Sequence, residues 1–543
     1  MRKKWIAGLL TASLVASTSL SAFATEANSG SSQQNTQSGS EMGTPPDGAG
    51  GGNGTPPDGA GGGNGSGGPG GSSSDNSSIT YSGATEITTD TEESDSTYDS
   101  TTGSQNALLV SGGTSTLTGI TVKKSGDSSE ESADFYGTNA AVFVNSGAEL
   151  TIKDSEITTD GSHANAVFAY GTGILNILDS TIKTSANNSG GVMVTGGGTL
   201  NAENLTVTTE GQSSASIRSD RGGGTLTVTG GTYTTNGVGS PAIYSTADIT
   251  VSDATLTATA SEGAIVEGAN SITMDNVTLT DSNTTLNGQS ETYKNIFLYQ
   301  SMSGDADEGT ASFSAKDSKI TTNNGDTIFV TNTKATIDLE NNTFVNNDED
   351  GIFLRIQAGA WGNSGSNGGT VTLNATNQDI DGDIYADDIS TLTMSLAEGS
   401  NLKGAIDSEN KAKQIDLTMD ATSTWTLTAD SYVDSLEDAL SDYSNINLNG
   451  FTLYVNGEAI TSTDYDESII ANQPADSNTD DVESSDDTKS TAGKTTAAST
   501  DTSETEKTNT TAKVFAVIGA ILAVIVGFFI GFRGMRKSDK KTE

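Results

Sequence analysis

Arg218, Asp220 and Arg221 form the densest polar cluster beside an apolar strand pattern in this chain, directly before Gly222-Gly-Gly224. Two guanidinium groups around a carboxylate can hold an acidic substrate group. They can equally fix an unusual turn through an Arg–Asp pair, since glycine runs mark tight backbone. Both readings stand at this point. A lyase for acidic polysaccharides needs a basic group to take a proton, plus a cation or arginine to hold carboxylates. Between the charged ends, Arg218, Arg221 and Arg355 are the only arginines, and His163, the one histidine, lies in a Gly-Ser-His-Ala loop pattern. A glycosidase needs two carboxyl groups roughly 5 to 9 Å apart. With 70 acidic residues such pairs arise by chance, so none is singled out. Asp379-Ile-Asp-Gly-Asp383 starts like a calcium loop, but its Gly382 comes two places early and Ser390 stands where that loop has Glu. No cysteine and a single histidine exclude the usual zinc ligand sets and a disulfide scaffold. No catalytic residue and no metal ligand is assigned.

The elements that would position these groups are repeats. An eight-residue core reads Leu150-Thr-Ile-Lys-Asp-Ser-Glu-Ile157, then Leu175-Asn-Ile-Leu-Asp-Ser-Thr-Ile182, and returns from Leu200, Leu226, Ile249, Ile272, Phe313 and Ile337, with a weaker copy from Ser115. A fixed period of about 25 residues means a solenoid, in which each unit buries its apolar face against its neighbours. The expected fold is all-β, a right-handed parallel β-helix of about twelve coils over residues 79–457, since each period holds at least two short strands. Positions 1, 3 and 8 of each octet should lie inside, with Ile152, Ile177 and Val251 buried. Val433–Tyr443 is a weak helical candidate.

The fifth octet position runs Gly119, Asp154, Asp179, Asn204, Gly230, Asp253, Asn276, Asp317 and Asn341. These types tolerate left-handed backbone and bond nearby amides, so a stacked turn ladder is the simpler reading, and a calcium row is kept as the functional one. Thr recurs at the seventh position, at Thr121, Thr181, Thr206, Thr232, Thr255, Thr278 and Thr343. Threonine suits an exposed strand, and the regular row also resembles an ice-binding face. A second strand accompanies each octet, and its charges fall in the second and fourth columns, which alternation turns outward. The second column then holds Val142, Val167, Val192, Ile243, Ile265, Phe297, Phe329 and Phe353. Such an apolar stripe is either covered, by the insert between Asp281 and Asn295 or by the Gly362–Gly369 loop, or used for docking. Arg218 and Arg355 share an outward column several coils apart.

The ends point to export. Arg2, Lys3 and Lys4 precede an apolar run from Trp5, and Ala22-Phe23-Ala24 supplies a small-residue cleavage site, so residues 1–24 read as a signal peptide. Residues 25–78 are a Gly/Pro/Ser-rich linker in which Gly43–Asn53 repeats as Gly54–Asn64. Residues 458–512 are an acidic Ser/Thr-rich tract too poor in apolar groups to fold, and read as a stalk. Val514–Phe532 carries no charge, so 513–532 is taken as a transmembrane helix and 533–543 as its basic cytoplasmic tail. Residues 25–512 would lie outside the cell membrane. Gly519, Ala523, Gly527 and Gly531 recur every four residues, a spacing that permits helix dimers. No LPxTG sorting motif precedes this segment. The chain carries a net charge of −44, and loses three basic residues with the signal to reach −47. Such a field repels nucleic acid.

Arg218-Ser-Asp-Arg-Gly-Gly-Gly224, Gly237-Val-Gly-Ser-Pro-Ala242 and Leu298-Tyr-Gln-Ser-Met-Ser-Gly304 resemble segments of secreted right-handed parallel β-helix repeat, adhesin-like surface proteins of gut Firmicutes. The resemblance covers about residues 79–440. Leu417–Val433 is similar to the terminal coils of pertactin-like passenger domains, although this chain has no outer-membrane barrel. The resemblance implies a surface-displayed binding protein without an agreed ligand or reaction. The expectation is a membrane-anchored adhesin, not an enzyme, contacting host glycans, mucus, immunoglobulin or neighbouring cells. A surface carbohydrate-active enzyme is the alternative, and a passive coat protein a weaker third. The surface expected to bind holds Arg218, Asp220, Arg221, Tyr299, Phe329 and Arg355, because aromatic and arginine side chains dominate binding energies.

Overall fold

The structure is a computed structural model that describes residues 79–286 and 292–471. The signal segment, the linker to residue 78, the tract from 472 and the apolar run Val514–Phe532 lie outside the described residues. Among the described residues no helix is long and apolar enough to cross a membrane.

Three parallel sheets of 12, 14 and 10 strands run along the solenoid, most coils give one strand to each, and a four-stranded and a three-stranded sheet take strands of the last coils. Val142–Val144, Glu149–Lys153 and Glu156–Thr159 make one such coil; Val167–Tyr170, Ile174–Leu178 and Thr181–Thr184 make the next. The result is an all-β parallel solenoid of about 15 turns, more than the twelve expected. The additional turns lie at the ends, where the octet is weak: Thr91–Ser94 stacks under Thr114–Thr118, and Gln414–Met419 continues the same sheet.

The octet places its residues as its alternation predicts. Leu150, Leu175, Leu200 and Leu226 stack in register, as do Ile152, Ile177, Ala202 and Val228. Ile157, Ile182, Val207 and Tyr233 do the same one sheet later. All are buried, and so are Ile152, Ile177 and Val251, each without solvent exposure. Between the two octet strands the chain turns through the fifth position. Asp154, Asn204, Asp253 and Asn341 have φ of 50, 53, 55 and 52°, and the whole column is left-handed. Asn and Asp reach this region at low cost because their short side chains bond locally. Here they also bond along the stack: Asn276 Nδ2 donates to Asp253 Oδ1 at 2.6 Å, and Asn341 Nδ2 to Asp317 Oδ1 at 2.6 Å. The column is a turn ladder.

The first sheet corrects the expected register. Val142, Val167, Val192 and Ile243 face the core, as does Phe353. The outward column is Phe143, Phe168, Met193, Arg218, Tyr244, Ile265, Phe297, Phe329 and Arg355. Only Ile265, Phe297 and Phe329 of the expected stripe belong to it. These strands are apolar on both faces because both are covered, so alternation carries no direction there. One cover is the short helix Glu131–Tyr136. Thr195 Oγ1 donates to the Phe135 carbonyl at 2.7 Å, and a Cβ on Gly137 (φ 71°) would lie 2.5 Å from the Phe143 ring. Phe143, Phe168 and Met193 form a small core beneath it. The other cover is the loop carrying Trp361, whose ring centroid stands 5.6 Å from that of Phe297 and 5.3 Å from that of Tyr299.

Two further expectations change at the far end. Val433–Tyr443 is not helical: Ser435–Asp438 is a strand whose Leu436 pairs with Leu417 of the preceding coil. Stacking overrides a local spacing that suits a helix. The stalk does not begin at 458 either. Glu458–Ile460 pairs antiparallel with Leu453–Val455, and Thr463 Oγ1 donates to the Ile446 carbonyl at 2.7 Å. This hairpin folds over the end of the stack, where bare strand edges would otherwise invite pairing with other chains.

Candidate functional site

The strand Ile217–Ser219 sets Arg218 in the outward column, and the glycine turn after it brings Asp220 back beneath the guanidinium. Arg218 is fully buried, with Nη2 3.1 Å from Asp220 Oδ2. The other Asp220 oxygen accepts the Arg221 backbone N–H at 3.0 Å. Burial pushes the Asp220 carboxyl up to about 8, against the downward pull of Arg218. Arg221 leaves the turn in the opposite direction. Its guanidinium lies 3.7 Å over the Phe135 ring, pairs with Asp305 and reaches Glu131 at 4.0 Å. Beside them Glu267 is sealed in the same network. Its carboxylate accepts from Tyr244, from Tyr299 at 2.8 Å and from Ser301, and burial raises it.

Arg218, Asp220 and Arg221 therefore do come together, with Arg218 and Asp220 buried and the Arg221 side chain 38% exposed, while Tyr299 stands three coils farther along and joins through Glu267 and Tyr244. Phe329 and Arg355 lie farther along the same column. Arg355 sits about 24 Å from Arg218 at five coils' separation, and its Nε donates to Asp326 Oδ2 at 2.5 Å. Arg218, Tyr299 and Phe329 are buried. The helix Glu131–Tyr136, the 301–307 segment and the Trp361 loop lie over much of the surface expected from their types, and Arg221 and Arg355 stay partly exposed. Raised carboxyls mark functional sites and structural ion-pair networks alike. Here the Arg221–Asp305 pair and the Ser301–Glu267 hydrogen bond tie the covers to the solenoid. His163 serves the same end: its Nδ1 is 2.8 Å from Asp134 Oδ2 of the short helix.

The open site lies on the third sheet. There Val122, Ile157, Ile182 and Val207 point inward and alternate with an outward column of Asp99, Lys123, Thr158, Lys183 and Thr208. Past each strand end, Asp160 and Glu210 rise beside that column. Together these groups line a cavity of about 720 Å³ open along the sheet. Lys123 and Lys183 are exposed and stand two coils apart, about 10 Å. Neither makes an ion pair or side-chain hydrogen bond among the described residues. Across coils Lys316 pairs with Glu340 at 2.6 Å and Lys403 with Asp381 at 2.8 Å, whereas Lys153, Lys319 and Lys334 are, like Lys123 and Lys183, exposed without an ion pair among the described residues. Below the groove Lys124 is buried, its Nζ donating to the carbonyls of Thr102 at 3.0 Å and Gly126 at 2.7 Å. Burial brings this ammonium down to about 8, while Asp127 and Asp160 hold it up. A smaller cavity of about 230 Å³ on the second sheet is spanned by the Lys316–Glu340 pair.

Nothing in the octet pointed to the groove. Its column begins two residues beyond the seventh-position threonines, past the end of the repeat core. The available signal was a lysine on alternate coils of that column, at Lys123 and Lys183. The seventh-position threonines do form one aligned outward row, interrupted by Glu156 and Lys319. Among the described residues no group of three or more His, Asp or Glu side chains is placed to hold a metal ion. Comparison with family models, with curated proteins and with solved structures finds no match for this chain.

Proposed function

We propose that this chain is a binding protein displayed on the cell surface, an adhesin-like β-helix that meets its ligand along the third sheet. The observation that carries the reading is a separation of chemistry from access. In the polar network around Arg218 the carboxyls that burial raises, Asp220 and Glu267, are themselves buried, while the open groove on the third sheet spreads ammonium, hydroxyl and carboxylate groups along successive coils. A polymer-cleaving site needs its acid and base to reach the substrate. A long repetitive face with spaced hydrogen-bonding groups suits attachment to an extended ligand such as a glycan. The exported start, the apolar run before a basic tail and the strongly acidic composition support display outside a membrane, with the tail inside. Right-handed winding is the sense that parallel strand crossovers take in nearly all cases.

The test incubates residues 25–512 with an array of glycans and host proteins, and in parallel assays polysaccharides for new ends. Saturable attachment without turnover is the expected result. Turnover of any polysaccharide would instead make the chain a surface carbohydrate-active enzyme.

A further inference from the structure

We infer that the groove on the third sheet binds a linear polyanionic glycan, one carrying carboxylate or sulfate groups, through Lys123 and Lys183. This rests on the binding-protein reading above and names its ligand class.

Positive groups are scarce in this chain. The whole chain has 26 basic residues against 70 acidic ones, so a positive group left unused on the surface is a departure from the background. Lys123, Lys153, Lys183, Lys319 and Lys334 are all exposed without an ion pair among the described residues, and what sets Lys123 and Lys183 apart from the other three is one shared outward column that lines a cavity. The column is fixed by the ladder: Lys123 pairs with Thr158, and Thr158 with Lys183. The strands fix both stems, so the ammonium groups project from one face at a spacing of about 10 Å. A second anionic group on the same polymer meets the second lysine at high effective concentration, which multiplies two modest contacts.

The ammonium of Lys124 adds to this from below. It is held by two carbonyls, with Asp127 and Asp160 acting on it from farther away. Asp99, Asp160 and Glu210 stand on the rim of the same groove. Facing a saccharide they accept hydroxyl hydrogen bonds, and Thr158 and Thr208 both donate and accept. The site thus offers cations for the acidic groups of a glycan and acceptors for its hydroxyls. A simple polyanion without hydroxyls would meet the rim carboxylates unfavourably, and so would nucleic acid.

The experiment uses the full chain and three probes: polygalacturonate, dextran sulfate and plain dextran. Three proteins are compared, the native chain, Lys123→Gln/Lys183→Gln, and Lys153→Gln/Lys334→Gln. The last removes the same charge from exposed positions on the second sheet. The native chain is expected to retain polygalacturonate or dextran sulfate, and which of them it retains identifies carboxylate or sulfate as the anion. The groove variant should bind that probe at least tenfold more weakly, with the second-sheet variant unchanged and dextran unaffected by either. Equal thermal midpoints establish that all three proteins are folded, as exposed positions allow. Undiminished binding by the groove variant overturns the inference, as does equal loss in both variants or no retention of either polyanion. If a neutral glycan or a protein is then captured on the array, the binding-protein reading stands without this ligand class. Polymer cleavage or an empty array sinks that reading itself.

Discussion

Replacing Ile177 by Ala should destabilise one region of the solenoid by about 4 kcal/mol and leave distant coils untouched. Ile177 has no solvent exposure and stacks between Ile152 and Ala202 in the second sheet. Deletions of this kind cost about 2 to 5 kcal/mol, more where the surroundings cannot collapse into the void. Two features of the site place it in the upper half of that range. Ala202 next to it is already small, and the strands on either side are held at ladder spacing by backbone hydrogen bonds. A solenoid couples mainly between neighbouring coils, so the loss should stay local. Hydrogen exchange reads this directly: amides of 149–153, 174–178 and 198–203 should lose protection, while those of 391–397 keep theirs. Ile174 is the internal control, since it lies on the same strand facing out at 36% exposure, and Ile174→Ala should change stability by less than about 0.5 kcal/mol. Equal effects at 174 and 177, or a loss below about 1 kcal/mol at Ile177, would refute the inside–outside assignment of the octet.

In the turn ladder, Asn204 holds φ at 53°, so Asn204→Ala should cost about 1 to 2 kcal/mol in denaturant titrations, with Asn204→Gly close to neutral; equal costs would show that the turn conformation is not what the residue supplies. Burial raises both Asp220 and Asp281 to about 8, above the unfolded value near 3.9. The folded state then binds protons more tightly, so this stabilisation is full below about pH 4 and is lost as pH rises through 8. The thermal midpoint should fall between pH 5 and 9, and Asp220→Asn should flatten the fall; a midpoint rising over that window contradicts the burial of these acids. Arg221 pins the short helix by stacking on Phe135 and pairing with Asp305. Arg221→Ala should speed cleavage at Glu130 and Glu131 by a glutamyl endopeptidase several-fold, and an unchanged rate would mean that the helix is held by other contacts.

The octet was legible because each of its strands has one face in the core and one in water. Leu150, Ile152 and Ile157 alternate with Thr151, Lys153 and Glu156, and that contrast fixes the register. The left-handed turn was legible for a local reason, since Asp, Asn and Gly share a backbone tolerance that most residues lack. The first sheet defeated the same reasoning. Phe143 and Val142 are both apolar, one meeting the covering helix and the other the core, and neither type tells which. The clustering of Arg218, Asp220 and Arg221 was legible from their adjacency in the sequence, whereas the link to Tyr299 three coils away was not. Their burial was not, because it depends on Phe135, Asp305 and Trp361, which arrive from distant segments. The groove went unread because its lysines fall outside the repeat core, in positions where composition varies from coil to coil.

Whether the third sheet binds a polymer without acting on it is settled most directly by a structure of the full chain with an oligogalacturonate. An intact saccharide should lie across successive coils, with its carboxylates at Lys123 and Lys183 and its hydroxyls toward Asp160 and Glu210. A saccharide seated elsewhere, or found cleaved, would contradict it.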